Sequence, residues 1–164
     1  MSGVAARLAE LGIALPAVSA PAGAYVPAVV SGNLVFTAGQ LPFVGGLLGQ
    51  TGKVGVEADA GVSAANALVS PSDAKGMAQI AALNALAAIQ SVIGSLDRVT
   101  QVVKVTGFVA SDPSFTGQPG VINGASEFLV DVFGAAGIHS RSAVGVAVLP
   151  LDSPVEVELI VSFE

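Results

Sequence analysis

The end of the chain carries its clearest hydrophobic pattern, an alternation of apolar and polar positions over 155–163. Apolar side chains occupy every second position: Val155, Val157, Leu159, Val161 and Phe163. A period of two predicts a β-strand that buries this face. Glu156, Glu158 and Ser162 lie on the other face, with Ile160 as the exception, so we expect a sheet with one packed and one partly polar face.

A second alternating segment, 141–149, precedes this strand. Valines form one of its faces, whereas the other face carries Arg141 and then only small residues: Ala143, Gly145 and Ala147. Small residues in a strand allow a backbone, a ligand or a partner subunit to approach closely. We expect the two strands to form a hairpin around Asp152, which places Glu156 opposite Val148 and about 23 Å from Arg141 at the rise of a strand.

Start and stop signals indicate two long helices. Ser70 and Pro71 suit the N-cap and first turn of an alanine-rich helix that runs to Ile93. A second helix is predicted over 119–136, closed by Gly137. The remaining predicted elements are a short helix over 3–11, extended chain over 13–32, a strand over 33–39, a flexible loop or hairpin over 43–70 and a strand over 99–110.

These elements predict an α+β fold in which two long helices cover one face of a sheet of four to six strands. A chain of 164 residues is long enough for one domain with its own core. We expect that domain to span 1–164, with 1–20 as an N-terminal extension and 43–70 as an inserted loop or hairpin.

The composition indicates an oligomer and argues against several kinds of site. The chain is 52% hydrophobic but only 11% charged, whereas a typical soluble domain has about 25% charged residues. We therefore expect part of the surface to be buried against copies of the same chain. The net charge of −6, with no basic cluster, argues against tight nucleic-acid binding. Without cysteine and with one histidine, the chain lacks the residues for a thiolate site or a histidine-based zinc site.

Two uncharged runs, 11–52 and 76–96, raise the question of a membrane span. Prolines and glycines interrupt the first run. The second is long enough to cross a bilayer, which takes about 20 residues, but its polar side chains fall on one helical arc that Ile80 and Leu83 interrupt. We favour a buried amphipathic helix over a membrane span. Because the N-terminus also lacks the pattern of a signal peptide, we expect a soluble cytoplasmic protein.

Three short motifs lack the features that their chemistry requires. The Gln50–Lys53 segment is not followed by the serine or threonine of a phosphate-binding loop, and it predicts a turn. His139 lies beside Ser140 and near Ser142, but no nucleophile elbow surrounds them, so we interpret it as a loop histidine. Three aspartates show no metal-ligand spacing: Asp112, Asp131 and Asp152.

Arg141 is the strongest candidate for a functional residue. The chain has only six basic residues, and this one opens an apolar strand. Guanidinium groups are rarely buried without a partner. The sequence therefore leaves two alternatives open, a structural ion pair and an anion-binding residue.

Two ordered motifs resemble the RidA/YjgF family. The segment 31–42, SGNLVFTAGQLP, is similar to a strand motif of that family, and the segment 141–150, RSAVGVAVLP, followed by VEVE at 155–158, is similar to its C-terminal signature. The resemblance extends from about Tyr25 to Phe163. It is closest to a divergent branch often labelled YjgF-like or endoribonuclease.

The resemblance implies a chorismate-mutase-like α+β fold with a mixed or antiparallel sheet, assembled as a homotrimer with clefts between subunits. It also implies a hydrolase, an enamine/imine deaminase, that converts reactive enamines and imines into 2-oxo acids and ammonia. That activity needs neither a metal nor another cofactor. The implied partners are a small carboxylate-bearing metabolite and the other copies of the chain.

The same resemblance assigns roles to six residues. Arg141 corresponds to the arginine that grips the substrate carboxylate, and Glu156 to the glutamate that positions water. The residues implied to bind substrate are Tyr25, Gly39, Asn123 and Ala143. For Glu156 and Tyr25 the alternatives are a solvated strand face and plain packing, and Asn123 and Gly39 also suit a turn and a backbone requirement.

Two departures from the family pattern leave three functions open. Ala143 replaces a cysteine and Ala38 replaces a serine, so the implied pocket has fewer hydrogen-bond donors. The first function is the deaminase, and the second is a non-catalytic trimer that binds carboxylate metabolites. The third is an endoribonuclease, which the acidic charge and the aromatic content of 5% argue against. For the first two, we expect Arg141 and Glu156 to meet across a subunit boundary.

Overall fold

The computed structural model describes residues 3–21, 23–56 and 68–164. Its helices are α1 (Val4–Glu10), α2 (Pro71–Ile93) and α3 (Gln118–Phe133). Its strands are β1 (Ala28–Ser31), β2 (Leu34–Thr37), β3 (Phe43–Val44), β4 (Leu47–Leu48), β5 (Val99–Ala110), β6 (Ser140–Val146) and β7 (Val155–Phe163).

Five strands form one sheet in the order β1-β2-β7-β5-β6, and β3 and β4 form a separate hairpin. The β5–β6 pair is parallel, whereas the other pairs of the sheet are antiparallel. Helices α2 and α3 pack against each other and against one face of this sheet. The predicted α+β architecture, with a mixed sheet and two long helices on one face, is confirmed.

The elements with the clearest sequence signals have the bounds that those signals predict. Strands β5 and β7 cover the predicted ranges, and the alternate residues of β7 from Val155 to Val161 are buried beneath the helices. Helix α2 begins after Ser70, whose hydroxyl accepts a hydrogen bond from the amide of Asp73 at 3.0 Å. It ends before Gly94, whose φ of 85° favours glycine.

The predicted hairpin between 141–149 and 155–163 is wrong. Strand β5 lies between β6 and β7 and pairs with both, so Glu156 is opposite Phe108 rather than Val148. The chain reaches β6 from β5 through α3, the kind of crossover that a parallel pair requires. Alternation identifies a strand but carries no information about its neighbour, so it could not reveal this order.

The small residues of β6 accommodate α3. A side chain at Gly145 would begin 2.8 Å from the Gln118 amide nitrogen, and one at Gly107 on β5 would begin 2.5 Å from Ile122. The face of β6 that carries Arg141 is therefore covered by α3 of the same chain, at the positions where Ala143 and Gly145 follow the arginine.

Several predicted ranges differ from the observed elements in their ends or internal structure. Helix α3 ends at Phe133 rather than 136, because Gly134 has a φ of 60°. Strand β6 stops at Val146, short of 149, and β1 lies within the segment expected to be extended. The predicted 43–70 segment contains the β3–β4 hairpin, which turns on two glycines of positive φ. Its 57–67 portion lies outside the described residues.

Helix α2 is the core helix of the fold. It is the one helix of the described ranges that is long and apolar enough to cross a membrane, but 61% of its 18-residue window is buried inside the protein. The amide of Asn84 is also buried and donates to the carbonyl oxygens of Leu41 (2.9 Å) and Phe43 (3.1 Å). This polar contact ties the β3–β4 hairpin to the helix, as expected for a buried helix with few polar positions.

The N-cap of α2 gives a direct test of the fold. Replacing Ser70 with alanine removes the acceptor for the Asp73 amide, which we expect to cost about 1 kcal/mol of folding free energy and to lower the Tm by about 2–4 °C in a domain of this size. Thermal unfolding of Ser70→Ala, Ser70→Asp and the exposed-site control Ser72→Ala measures the effect. An equal loss in Ser72→Ala would contradict the capping role.

Candidate functional site

The residues that the sequence singles out fall into two groups on opposite faces of the sheet. Arg141 is next to Val105 in the β5–β6 register, and Val105 is buried beneath the helices. Glu156 is next to Phe108, on the face opposite α2 and α3. Neighbouring residues across paired strands point to the same face, so a single chain does not bring Arg141 and Glu156 into one site.

The first group is the anchor cluster, which we define as Arg141, Asn123, Ser126 and His139. Nη1 of Arg141 donates to Oδ1 of Asn123 at 2.7 Å and to Oγ of Ser126 at 3.2 Å. Asn123 and Ser126 are three residues apart on α3, so both face β6 from one side of the helix. The cluster therefore fixes one end of the guanidinium group with neutral oxygens.

The charge of Arg141 has no counter-ion in the described part of the chain. The ion pairs recorded there are Arg7–Glu10 and Lys75–Glu127. The hydrogen bonds recorded for the Arg141 side chain in residues 3–21, 23–56 and 68–164 use only Nη1. Among the described residues the structural ion-pair alternative is thus not realised, and Nε and Nη2 have no recorded partner there that would keep them from an anion.

Sequence reasoning missed Ser126, whereas His139 lies in the loop before β6, as the sequence predicts. Nε2 of His139 lies 2.9 Å from the Ser126 hydroxyl, and Nδ1 lies 2.6 Å from the carbonyl oxygen of Gly137. Because the Gly137 carbonyl oxygen can only accept, Nδ1 is the donor of that bond, and Nε2 pairs with the Ser126 hydroxyl. A relay runs from Arg141 through Ser126 to His139. The i, i+3 spacing of Asn123 and Ser126 was visible in the sequence. The sequence did not show which strand these two side chains contact.

Ala143 follows Arg141 on the same face of β6 and packs against the hydrophobic core. It adds no polar group to the anchor cluster. Its implied contact with a substrate is therefore limited to apolar packing.

The second group surrounds Glu156, where β2 departs from regular pairing with β7. Phe36 pairs with Ile160, the next amide of β7 (Leu159) donates to the hydroxyl of Thr37 at 2.9 Å, and pairing then resumes between Gln40 and Val157. One extra residue on the β2 side makes this a bulge at positions 38–39.

The bulge brings the backbone of Gly39 against the Glu156 side chain. A Cβ atom at position 39 would lie 1.8 Å from Oε1 of Glu156 and 2.7 Å from its Cδ. The amides of Ala38 and Gln40 donate to the carbonyl oxygens of Pro27 and Val157. Across the described ranges the Gly39 amide has no recorded acceptor, so it can donate to a ligand beside Glu156.

Glu156, Gly39 and Tyr25 line one cavity of about 380 Å³, which we call the Glu156 pocket. Its remaining walls come from residues 19–21, Pro27, the 40–43 segment, Pro150 and Leu151. Burial raises the pKa of the Glu156 carboxyl group, and the nearby charge of Glu158 raises it further. A carboxyl group with a raised pKa in an apolar cleft is a common feature of proton-transfer sites.

A strained turn forms the rim of the Glu156 pocket. Leu151 and Asp152 have φ values of 57° and 56°, in the left-handed region that favours glycine. Such residues cost about 1–3 kcal/mol each and persist where surrounding contacts fix them. Here the carbonyl of Asp152 accepts from the amide of Gly52 at 2.8 Å, and the adjacent Ser153 is buried.

The residues that the structure describes contain no group of three or more His, Asp or Glu side chains arranged to hold a metal ion. The chemistry of the candidate site is thus left to three groups: the Arg141 guanidinium, the Glu156 carboxyl group of raised pKa and the Gly39 backbone amide.

Comparison with known proteins gives a consistent result. Residues 5–163 match a family model described as "YjgF/chorismate_mutase-like, putative endoribonuclease". The chain is 44% identical to Protein TCP17 of Trypanosoma cruzi, in an alignment covering 96% of this chain and 92% of that protein.

Two solved structures extend the comparison. The first, titled a putative endoribonuclease from Shewanella oneidensis, is 31% identical with a TM-score of 0.87, over 99% of this chain and 100% of that one. The second, TdcF of E. coli with bound serine, is 27% identical with a TM-score of 0.57, over 90% and 94% of the two chains.

The contact between Gly39 and Glu156 predicts a specific steric effect. Gly39→Ala forces the Glu156 carboxyl group to move, and we expect overpacking of this kind to cost about 1–3 kcal/mol. The loss should shrink when Glu156 is also changed to alanine, as thermal unfolding of the single and double variants would show. Gly49→Ala, where an added Cβ meets nothing within 4 Å, is the matched control. Equal losses in both Glu156 backgrounds would contradict the contact.

The raised pKa of Glu156 predicts a pH-dependent stability difference. In the unfolded chain this carboxyl group ionises near pH 4.3, at roughly its ordinary pKa, so the native state loses stability as the pH rises from there through the raised pKa. Glu156→Gln removes this loss. We expect the Tm of Glu156→Gln relative to the native chain to be higher at pH 8 than at pH 4, measured by scanning calorimetry. A Tm difference that stays constant with pH would contradict the raised pKa of Glu156. For Glu158→Gln, the Tm difference from the native chain should change less between pH 4 and pH 8.

Proposed function

Because the chain belongs to the YjgF/chorismate-mutase-like family, we propose that it hydrolyses small imino or enamino acids to 2-oxo acids and ammonia, as a soluble cytoplasmic protein without a metal or other cofactor. The observation that carries this proposal is the division of the site. One half holds an arginine with no counter-ion in the part of the chain that the structure describes, and the other holds a carboxyl group of raised pKa in an apolar pocket.

The two halves complement each other in a homotrimer with clefts between subunits. The sheet face opposite α2 and α3 includes an exposed apolar patch: Val29 and Phe36 pair across β1 and β2, and they are 52% and 39% exposed. Phe108 and Val144 continue this surface across β5 and β6. We assign this face to neighbouring copies, since the chain is only 11% charged. Arg141 lies on the edge strand β6, from which it can reach the Glu156 pocket of a neighbour.

In such a cleft each group has a defined chemical task. Nε and Nη2 of Arg141 bind the substrate carboxylate, while Asn123 and Ser126 hold the guanidinium group in place. The Glu156 carboxylate accepts a proton from a water molecule as the water adds to the C=N carbon, and returns that proton to nitrogen. The hydroxyl proton of the resulting carbinolamine passes through Glu156 to nitrogen as the C–N bond breaks, which releases ammonia and leaves the C=O group of a 2-oxo acid. An enamino acid first becomes the imine by proton transfer from nitrogen to carbon. The Gly39 amide donates to the reacting group, and Tyr25 borders the pocket.

A second candidate is a trimer that binds carboxylate metabolites without turnover. Ala143 and Ala38 favour it, since the implied cysteine and serine donors are missing and Ala143 packs against the core. The serine bound to TdcF is a small carboxylate-bearing molecule and supports this class of ligand for both candidates. The two candidates differ in their use of Glu156, which turnover requires and binding at Arg141 does not.

An endoribonuclease function has less support. Three of the six basic residues are engaged by other side chains: Arg7 pairs with Glu10, Lys75 pairs with Glu127, and Arg98 lies over the Phe163 ring. Binding to nucleic acid depends on clustered cations that contact phosphates. The dispersed charges of this chain do not provide such a surface.

Loss of Arg141 tests the proposed function. We expect Arg141→Ala to weaken 2-oxo acid binding by about 10- to 100-fold, because a charged hydrogen-bonded pair contributes about 1.5–3 kcal/mol. We also expect it to abolish ammonia release from freshly generated 2-aminoacrylate, measured in a coupled assay. Glu156→Gln should lose ammonia release but keep binding. Binding without turnover in the native chain would support the second candidate, and equal rates with and without Arg141 would contradict both.

Mixed trimers test whether the site is shared. Arg141→Ala and Glu156→Gln chains are each inactive alone, but a cleft that takes Glu156 from the first and Arg141 from the second is intact. In a closed ring of three equivalent interfaces, random mixing makes about one quarter of the clefts intact. Recovery of ammonia release to about that fraction after co-refolding is expected. No recovery in trimers that contain both chains would place the two residues in separate sites.

A further inference from the structure

The Glu156 pocket is larger than a small carboxylate ligand requires. Its volume of about 380 Å³ equals that of about a dozen water molecules, at about 30 Å³ each. It lies within the size range of about 300–1,000 Å³ in which pockets enclose most of a drug-sized ligand. The methyl group of pyruvate or the methylene group of 2-aminoacrylate would leave most of this space unfilled.

The character of the walls selects an apolar occupant. Apolar side chains supply much of the lining: Pro21, Pro27, Leu41, Phe43, Pro150 and Leu151. Among the described residues, the lining contains no lysine, arginine or histidine, and its charged group is Glu156. A ligand carboxylate would be repelled from this pocket, so the part of the ligand that enters it is uncharged and apolar.

Leu151 is held in the pocket wall against its backbone preference. Its φ of 57° and ψ of 22° lie in the left-handed region, and the next residue, Asp152, has the same conformation. The side chain of Leu151 is 69% exposed, so it is not anchored by core packing. Strained residues of this kind are concentrated at ligand clamps. A leucine that is both strained and exposed at a pocket rim has a ligand as its natural contact.

We propose that the Glu156 pocket is a side-chain subsite, and that the preferred substrates are imino or enamino acids with branched aliphatic or aromatic side chains. This inference rests on the proposed function, because the carboxylate of such a substrate lies at Arg141 of the neighbouring copy. Leu151 is the residue that determines specificity. Glu156 then faces the C=N carbon at the junction of the carboxylate and the side chain.

Binding of stable 2-oxo acids to the full chain tests the subsite. By isothermal calorimetry, we expect 4-methyl-2-oxopentanoate to bind the native protein about 10- to 100-fold more tightly than pyruvate, given the known effect of added methylenes in apolar pockets. Leu151→Ala should reduce that ratio by about threefold to tenfold, because it removes apolar contacts to the longer side chain. A native ratio near one, or a ratio that Leu151→Ala does not change, overturns the proposal.

Two variants separate the subsite from general effects on the fold. Leu47→Ala is the matched control, since Leu47 is 74% exposed on β4 and does not line the pocket; its ratio should equal the native one. Leu151→Gly removes the side chain at a backbone conformation that glycine accepts readily. It should therefore remain folded and show the same loss of selectivity as Leu151→Ala.

A neutral probe distinguishes failure of the subsite from failure of the proposed function. 3-Methylbutan-1-ol has the branched chain but no carboxylate, so its binding does not need Arg141. We expect it to shift the methyl NMR signals of Leu41 and Leu151 in the native protein and in Arg141→Ala alike. If 2-oxo acids do not bind but this alcohol does, the carboxylate anchor has failed and the apolar subsite stands. If the alcohol shifts neither leucine, the subsite proposal is overturned.

Discussion

The parallel pairing of β5 with β6 is the constraint on which the rest of the structure depends. A parallel neighbour has to be reached by a crossover, and α3 is that crossover. Placing β6 at the edge also leaves β5 between β6 and β7. The same pairing therefore sets α3 over the core, puts Asn123 and Ser126 beside Arg141, and separates Arg141 from Glu156 by two strand positions and one face of the sheet.

Close approach of backbones makes this arrangement compact. Gly124 on α3 lies so near α2 that a Cβ atom there would be 1.9 Å from the carbonyl oxygen of Lys75. Alanines fill most of the buried positions of α2, which keeps the helix pair close and the layer above the sheet thin. Bulk is supplied from the strands and from α3 by residues such as Ile122 and Leu159. The small side chains of the sequence are thus a packing requirement rather than a sign of flexibility.

Local signals in the sequence were sufficient for the main elements. The alternation of β7, the β-branched run of β5 and the cap at Ser70 each depend on neighbouring residues, and each has the predicted bounds. Strand order depends on contacts between distant segments, so the hairpin expected around Asp152 was wrong. The relay from Arg141 to His139 was missed for the same reason, because Ser126 joins it from another element. The resemblance to a known family identified the residues of the site, whereas their division between two faces became visible only in the fold.

The burial of α2 also sets the order in which the protein can form during synthesis. This helix is apolar enough to resemble a bilayer-spanning segment, and the strand at the centre of the sheet that covers it, β7, begins 62 residues after the helix ends, from Ile93 to Val155. At about 5–20 residues per second, the ribosome needs roughly 3–12 s to make that stretch. During this interval the apolar face of α2 is not yet covered by the sheet, so it is accessible to chaperones and to the membrane-targeting machinery. The nascent chain, rather than the finished protein, is therefore the form most vulnerable to aggregation.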